Sequence, residues 1–165
     1  VLLSGVIYTA RDAAHARLCA ALDAGEELPV DLRGQTVFYA GPTPTPPGNA
    51  CGAIGPTTSM RMDAFTPRLL RYGVNAMIGK GERGEAVRAA IMETGAVYFA
   101  AIGGCAAYMA ACVEALEVVA YDDLGTESIK RLTVRDLPLT VALDAQGGDA
   151  YAMGAERYRE LCQNP

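Results

Sequence analysis

A hydroxyl and a guanidinium stand four residues apart at Thr57 and Arg61, in the run Gly55-Pro56-Thr57-Thr58-Ser59-Met60-Arg61-Met62-Asp63. A helix is expected to begin there. Four residues is about one helical turn, so both groups are predicted to face the same way. Free N–H groups at a helix N-terminus, joined by an Arg, make a site for an anion, above all a carboxylate. The run closes a long uncharged stretch, since no Asp, Glu, Lys or Arg lies between Gly34 and Met60. Thr57 needs a base, a metal or a bound cofactor beside it before its hydroxyl can do acid–base chemistry. Its other reading is a helix N-cap.

Further cations lie elsewhere. Gly79-Lys80-Gly81-Glu82-Arg83-Gly84 matches G-x-G-x-x-G between a predicted strand and a predicted helix. A dinucleotide turn is disfavoured there. Lys80 is bulky where a pyrophosphate must approach the backbone, and Ala100–Gly104 offers no acid for a ribose. A P-loop fails because Gly81 stands where Ser or Thr should follow the Lys. What remains is a lysine exposed between glycines, solvated or holding an anion. Arg11 sits at the positive end of the first predicted helix, which suits a cation only if an anion joins it; it otherwise reads as a surface residue. Asp12 reads as a cap. His15, the only histidine, is expected to make a polar contact or face a partner rather than to act in catalysis. The chain thus supplies cations and a hydroxyl without an evident acid or metal ligand set, which looks like half of an active site.

Bulk composition bounds the rest. At 165 residues the chain is long enough for one domain with a real core, taken as 1–165. A formal charge of -5, with no basic run, argues against nonspecific nucleic-acid binding. Gly95–Val113 is uncharged, but Gly103-Gly104 divides it into a buried strand and a short helix, so no membrane span is expected. Five scattered cysteines without C-x-x-C argue against a disulfide framework or a zinc site and fit a reducing cytoplasm. Cys51 and Cys105, beside glycines, are the two worth watching as reactive thiols. The chain opens at Val1 without an initiator Met, so a leading segment is expected to have been removed or left out.

The elements that must position these groups follow from pattern. Strands are predicted at Val1–Tyr8, Thr36–Ala40, Val74–Ile78, Ala96–Ile102, Leu116–Tyr121, Ile129–Val134 and Leu139–Leu143. A helix from a Thr9–Asp12 capping box to about Ala24 follows the first strand. Further helices are predicted at Met62–Tyr72, Glu85–Thr94, up to about Cys112, and from about Tyr151 to Cys162. Pro67 either sits in a first turn or marks a kink. The proline-rich loop from Pro42 to Pro56 is stiff despite its length. Alternating strands and helices, then clustered strands, predict an α/β domain with a mixed sheet.

Several motifs together resemble one family. They are Ser4-Gly5-x-Ile7-Tyr8-Thr9-Ala10-Arg11-Asp12-Ala13-Ala14-His15, Tyr39-Ala40-Gly41-Pro42, Gly55-Pro56-Thr57-Thr58-x-x-Arg61-Met62-Asp63 and Gly79-Lys80-Gly81. With Tyr121-Asp122-Asp123-Leu124-Gly125-Thr126-Glu127-Ser128-Ile129, they resemble the β subunit of iron–sulfur-dependent class I fumarate hydratases and tartrate dehydratases. The resemblance spans nearly the whole chain, beginning after a short segment the family carries before Val1. It implies a swivelling β/β/α-type domain, a mixed sheet flanked by helices, closing over a separate α subunit that holds a [4Fe–4S] cluster. It implies reversible hydration of fumarate to (S)-malate. Tartrate, mesaconate or another short dicarboxylate is the alternative substrate, and a noncatalytic dicarboxylate-binding subunit the alternative role. Arg11, Arg61 and Lys80 would bind the dicarboxylate, and Thr57 would be the catalytic base. Gly55, Thr58 and Gly81 would support them, with Asp12 and His15 nearby, and the acid would come from α. No metal ligand is expected in this chain, and a homodimer is possible. Met60 stands where a small residue is expected and would narrow the pocket.

Overall fold

The computed structural model describes residues 1–163. Seven strands form one mixed sheet in the order β5-β6-β1-β2-β3-β4-β7. Its centre is a parallel block: β1 (Leu2–Thr9), β2 (Thr36–Phe38), β3 (Ala76–Gly79) and β4 (Val97–Ala100). Antiparallel partners flank it. β6 (Ile129–Pro138) pairs with β1 and with β5 (Val113–Ala120), and β7 (Thr140–Leu143) pairs with β4. The α/β fold with a mixed sheet is therefore as expected from the alternation of elements.

Both faces of the parallel block are covered, which is why its strands read as continuous apolar runs. On one face Val37, Tyr39, Met77 and Tyr98 pack with Ala14 and Leu18 of α1 (Asp12–Asp23), Leu69 and Leu70 of α2 (Thr66–Tyr72), and Val87, Ala90 and Ile91 of α3 (Glu85–Thr94). On the other, Phe38, Ala40 and Ile78 meet Cys51 and Ile54 of the proline-rich loop and Met109 of α4 (Ala106–Ala111). Successive residues point to opposite sides of a strand, so Val37 and Phe38 separate into the two cores. The last helix, α5 (Ala150–Gln163), buries no side chain fully.

Several boundaries move, each for a local reason. β5 starts at Val113 rather than Leu116, because Val113 already pairs with Val134. β6 runs on to Pro138 because β1 pairs with it as far as Leu2. The expected helix over Met62–Tyr72 splits into a 3₁₀ turn at Ser59–Met62 and α2. Pro67 then falls in the first turn of α2, where its missing N–H costs nothing. Thr9 does not cap α1. It is the last residue of β1, and its Oγ1 accepts from the Lys130 N–H at 3.2 Å. Arg11 occupies the cap position with no side-chain cap, and Glu127 Oε2 instead accepts from the Ala13 N–H at 2.9 Å.

Candidate functional site

The parallel block places its strand ends side by side, and the candidate residues follow those ends. Arg11 comes after β1, Gly41 after β2, Lys80 after β3 and Gly103 after β4. The carboxyl edge of a parallel sheet is where open α/β folds bind their ligands. Here it gathers Arg11, Thr57, Arg61 and Lys80 from stretches far apart in the chain.

Thr57 and Arg61 do not share a helical turn, contrary to expectation. The Thr57 N–H donates to the Tyr39 carbonyl at 2.7 Å, and Thr58 forms a parallel bridge with Lys80. Those backbone groups are used by neighbouring strand ends, so the segment stays extended through Thr58 (φ -58, ψ 116) and turns only at Ser59. The N-cap reading of Thr57 falls with it. Its hydroxyl, half-buried, makes no hydrogen bond among the described residues. The Ser59 N–H donates to the Lys80 carbonyl at 3.0 Å, while Ser59 Oγ accepts from the Lys80 N–H at 3.0 Å. Lys80 and the Thr57–Arg61 segment are thereby sewn together.

Arg11 and Arg61 meet through Asp12. Arg61 Nη2 lies 2.9 Å from Asp12 Oδ2, and Arg11 Nε lies 4.0 Å from the same oxygen. Asp12 is therefore an ion-pair partner, not the cap expected of it. Arg11 Nη2 is 3.5 Å from Glu127 Oε1. Glu127 thus serves both α1 and Arg11. Arg11 Nε and Asp12 Oδ2 are buried without an aligned hydrogen-bond partner, a condition rare in folded proteins and concentrated at sites that bind. Lys80 pairs with no carboxylate among the described residues.

Glycines open the space around these cations. A Cβ on Gly41 would stand 2.7 Å from the Thr126 carbonyl oxygen and 3.2 Å from Arg11 Cδ. One on Gly103 would lie 3.5 Å from Lys80 Cδ. Gly55 packs on the start of α4, with Ala106 Cβ 3.2 Å from where its own would be. Gly81 adopts φ +81 beside Lys80, a left-handed conformation that favours glycine. Met60 is exposed next to Arg61.

His15 makes the polar contact expected of it, but inside the fold rather than facing a partner. It is 1% exposed, edge-on to Tyr39 with ring centroids 5.1 Å apart. Its Nδ1 lies 2.9 Å from the Arg11 carbonyl, and its Nε2 has no partner. Burial pulls its pKa down to about 4; the Arg11 carbonyl opposes this, and the Arg83 cation adds to it. Cys51 is equally unsuited to reactivity: it is 3% exposed, and burial raises its thiol pKa. Cys105 is half-buried at the cap position of α4.

Sequence reasoning missed the support beneath the site. Arg83, one of the variable positions in the glycine motif, is buried and ion-paired to Asp63 at 2.7 Å. Glu127 lies in a motif noted only for its resemblance, and its contacts are 114 residues away, beyond any local pattern.

A family model described as fumarase C-terminus matches residues 1–154. The anaerobic class I fumarate hydratase of Escherichia coli (strain K12) is 40% identical over 151 residues, 90% of this chain and 28% of that protein. Fumarate hydratase 2 of Leishmania major is 36% identical over 154 residues, 92% of this chain and 27% of that protein. The chain therefore spans little more than a quarter of the fumarate hydratases it matches. A chain from Methanocaldococcus jannaschii, provisionally named L(+)-tartrate dehydratase subunit beta, is 38% identical over 157 residues, 92% of this chain and 80% of that one. A fold built around clustered cations at its carboxyl edge, matched by one family model along nearly its whole length, belongs to the fumarase C-terminus family.

Proposed function

We propose that this chain is the β subunit of a [4Fe–4S]-dependent hydro-lyase that interconverts fumarate and (S)-malate in an active site shared with an α subunit. One observation carries the reading: Arg11, Arg61 and Lys80 converge with Thr57 at the carboxyl ends of the parallel strands. The relative that matches this chain over most of its length is named a beta subunit, which supports a partner.

The residues present do not fit a cluster. Among the described residues no three His, Cys, Asp or Glu side chains come together, and the cysteines are free and dispersed. The reading therefore assigns the cluster to α and gives this chain the substrate. Arg61 and Lys80 hold carboxylate oxygens by charge-assisted hydrogen bonds, and Arg11 steadies the second carboxylate. Dehydration takes a proton from the carbon beside a carboxylate, and the charge that builds up there is stabilised by fixed cations. Thr57 Oγ1 is assigned that proton, and because a neutral hydroxyl cannot take it, its own proton must first pass to a base that the completed site supplies. The acid that completes the site comes from α.

The test is anaerobic fumarate hydration by the chain alone and with its reconstituted partner. Activity confined to the complex is expected. Thr57→Ala should cost turnover by about 10²–10⁴-fold, the usual weight of a positioned acid–base group. Arg61→Ala should weaken dicarboxylate binding at least about tenfold. A pure binding subunit would lose affinity with Arg61→Ala and ignore Thr57→Ala. Full activity of Thr57→Ala in the complex would sink the catalytic assignment. The name of the Methanocaldococcus jannaschii relative, of which this chain covers 80%, favours tartrate as the competing substrate, and it is assayed alongside.

A further inference from the structure

Two backbone segments carry the site, and a buried charge pair lies directly under them. Lys80 begins the loop between β3 and α3, while Arg61 lies in the 3₁₀ turn before α2. The upper tie between them is the Ser59–Lys80 backbone pairing described above. The lower tie is Arg83. Its Nε donates to Asp63 Oδ1 at 2.7 Å and its Nη2 to Thr66 Oγ1 at 2.8 Å. Asp63 Oδ2 returns the link by accepting from the Gly84 N–H at 2.6 Å. The Arg83 side chain is fully enclosed, with its guanidinium carbon 5.2 Å from the Tyr39 ring centroid and 4.9 Å from that of Tyr98. Tyr98 Oη lies 2.9 Å from Ser59 Oγ and 2.8 Å from the Gly81 carbonyl, so it bridges the same two segments.

A buried ion pair is a poor way to gain stability, because well-packed apolar residues of the same volume often do as well or better. What it supplies is geometry. A guanidinium fork fixes direction as well as distance, and this one grips Asp63 and Thr66, which directly follow the turn that carries Arg61. We propose that Arg83, through Asp63, is a positioning residue that sets the spacing of Lys80 and Arg61. The proposal rests on the reading that these two cations bind the substrate. Lys80 and Arg61 cannot move independently while both ties hold. Their spacing thus fixes how one carboxylate of the substrate is seated.

The experiment uses the complex with its cluster-bearing partner and measures KM, kcat, (S)-malate binding by titration, and Tm. Arg83→Lys keeps the charge and loses the fork. Asp63→Asn keeps an acceptor for Gly84 and loses the charge. Tyr98→Phe removes only the hydroxyl. Each variant should raise KM and weaken malate binding about tenfold while kcat stays within about threefold, as expected when an ångström-scale displacement loosens substrate positioning. Combined with Lys80→Ala, Arg83→Lys should add little further loss of malate affinity, because it acts through Lys80. A lowered Tm with unchanged KM, or losses that simply add, would overturn the proposal. Should Arg83→Lys fail to fold, Asp63→Asn and Tyr98→Phe decide it alone. If Lys80→Ala and Arg61→Ala leave malate binding intact, the substrate reading itself has failed.

Discussion

Acid should destabilise this fold through one residue, His15, in a pH window set by its burial. The imidazole is enclosed against Tyr39 and Phe65, one nitrogen on the Arg11 carbonyl and the other without a partner. Burial is the largest reason that its pKa falls from 6.5 to about 4, and that drop corresponds to about 3 kcal/mol between the two protonation states. The sign follows from which state binds the proton. Below 6.5 the unfolded chain takes up a proton that the fold resists until about pH 4. Stability is therefore complete above 6.5, falls as pH drops toward 4, and gains no further loss from His15 below that. By pH 5 the loss should reach about 2 kcal/mol, a large share of a domain's usual margin. Carboxylates held low by arginines act in a more acidic window, as with Asp31, held at about 2 by Arg33. Urea unfolding followed by circular dichroism at pH 7, 6 and 5, for the native chain and His15→Phe, measures this. The variant should have a flatter profile, whatever its absolute stability. Parallel profiles for the two proteins would refute the reasoning.

Two substitutions test the supports of the site. A Cβ on Gly79 would stand 1.8 Å from Ser59 Oγ and 3.0 Å from the Tyr39 ring; Gly79→Ala should therefore displace Ser59 from Lys80 and weaken dicarboxylate binding in the complex by about tenfold or more, read by titration. Lys130 is buried, and its ammonium lies 2.8 Å from the Gly125 carbonyl and 2.6 Å from Ser128 Oγ; Lys130→Met should cost about 1–3 kcal/mol by leaving Ser128 Oγ without this donor and the Gly125 carbonyl with Ser128 alone, and hydrogen exchange should quicken over residues 122–128.

The fold was legible because periodicity and punctuation are local. The strand–helix alternation through Thr94 and the turn at Gly103-Gly104 follow from apolar runs and glycines. The start of α2 was not, because Thr57 and Thr58 give their backbone groups to Tyr39 and Lys80, partners that no window around residue 57 contains. The cap of α1 failed in the same way: Thr9 was consumed by β6, and the capping carboxylate arrived from Glu127. Arg61 and Lys80 stood out by type and place, Arg61 at the end of an uncharged stretch and Lys80 between two glycines, although Lys80 taken alone reads more readily as solvated. Arg83 did not. In sequence it is a charged residue in a glycine-rich turn, which reads as solvated. Only the tertiary enclosure between Tyr39 and Tyr98 makes it a buried charge.

The charge arrangement explains how the cluster of Arg11, Arg61 and Lys80 can exist without a bound ligand. Unscreened, Arg11, Arg61 and Lys80 would repel one another, most strongly where burial lowers the effective dielectric. Asp12 and Glu127 counter that repulsion by pairing with Arg61 and Arg11, while Lys80 pairs with no carboxylate among the described residues. Glu127 is spent on Arg11 and on the N-terminus of α1, so that arginine is held rather than freed. Asp12 is different. Its contact with Arg61 is short but poorly aligned, and the Arg61 side chain is 52% exposed, so the pair is close to the exposed kind that contributes little. On the proposed reading, a substrate carboxylate would therefore take over Arg61 at small cost. Lys80, fixed at its backbone by Ser59 and lacking a carboxylate of its own among the described residues, is the charge left uncompensated. The cluster is thus graded, from a held Arg11 through an exchangeable Arg61 to an open Lys80. That order suits capturing one carboxylate at the Lys80 side while the far end of the ligand settles against Arg11.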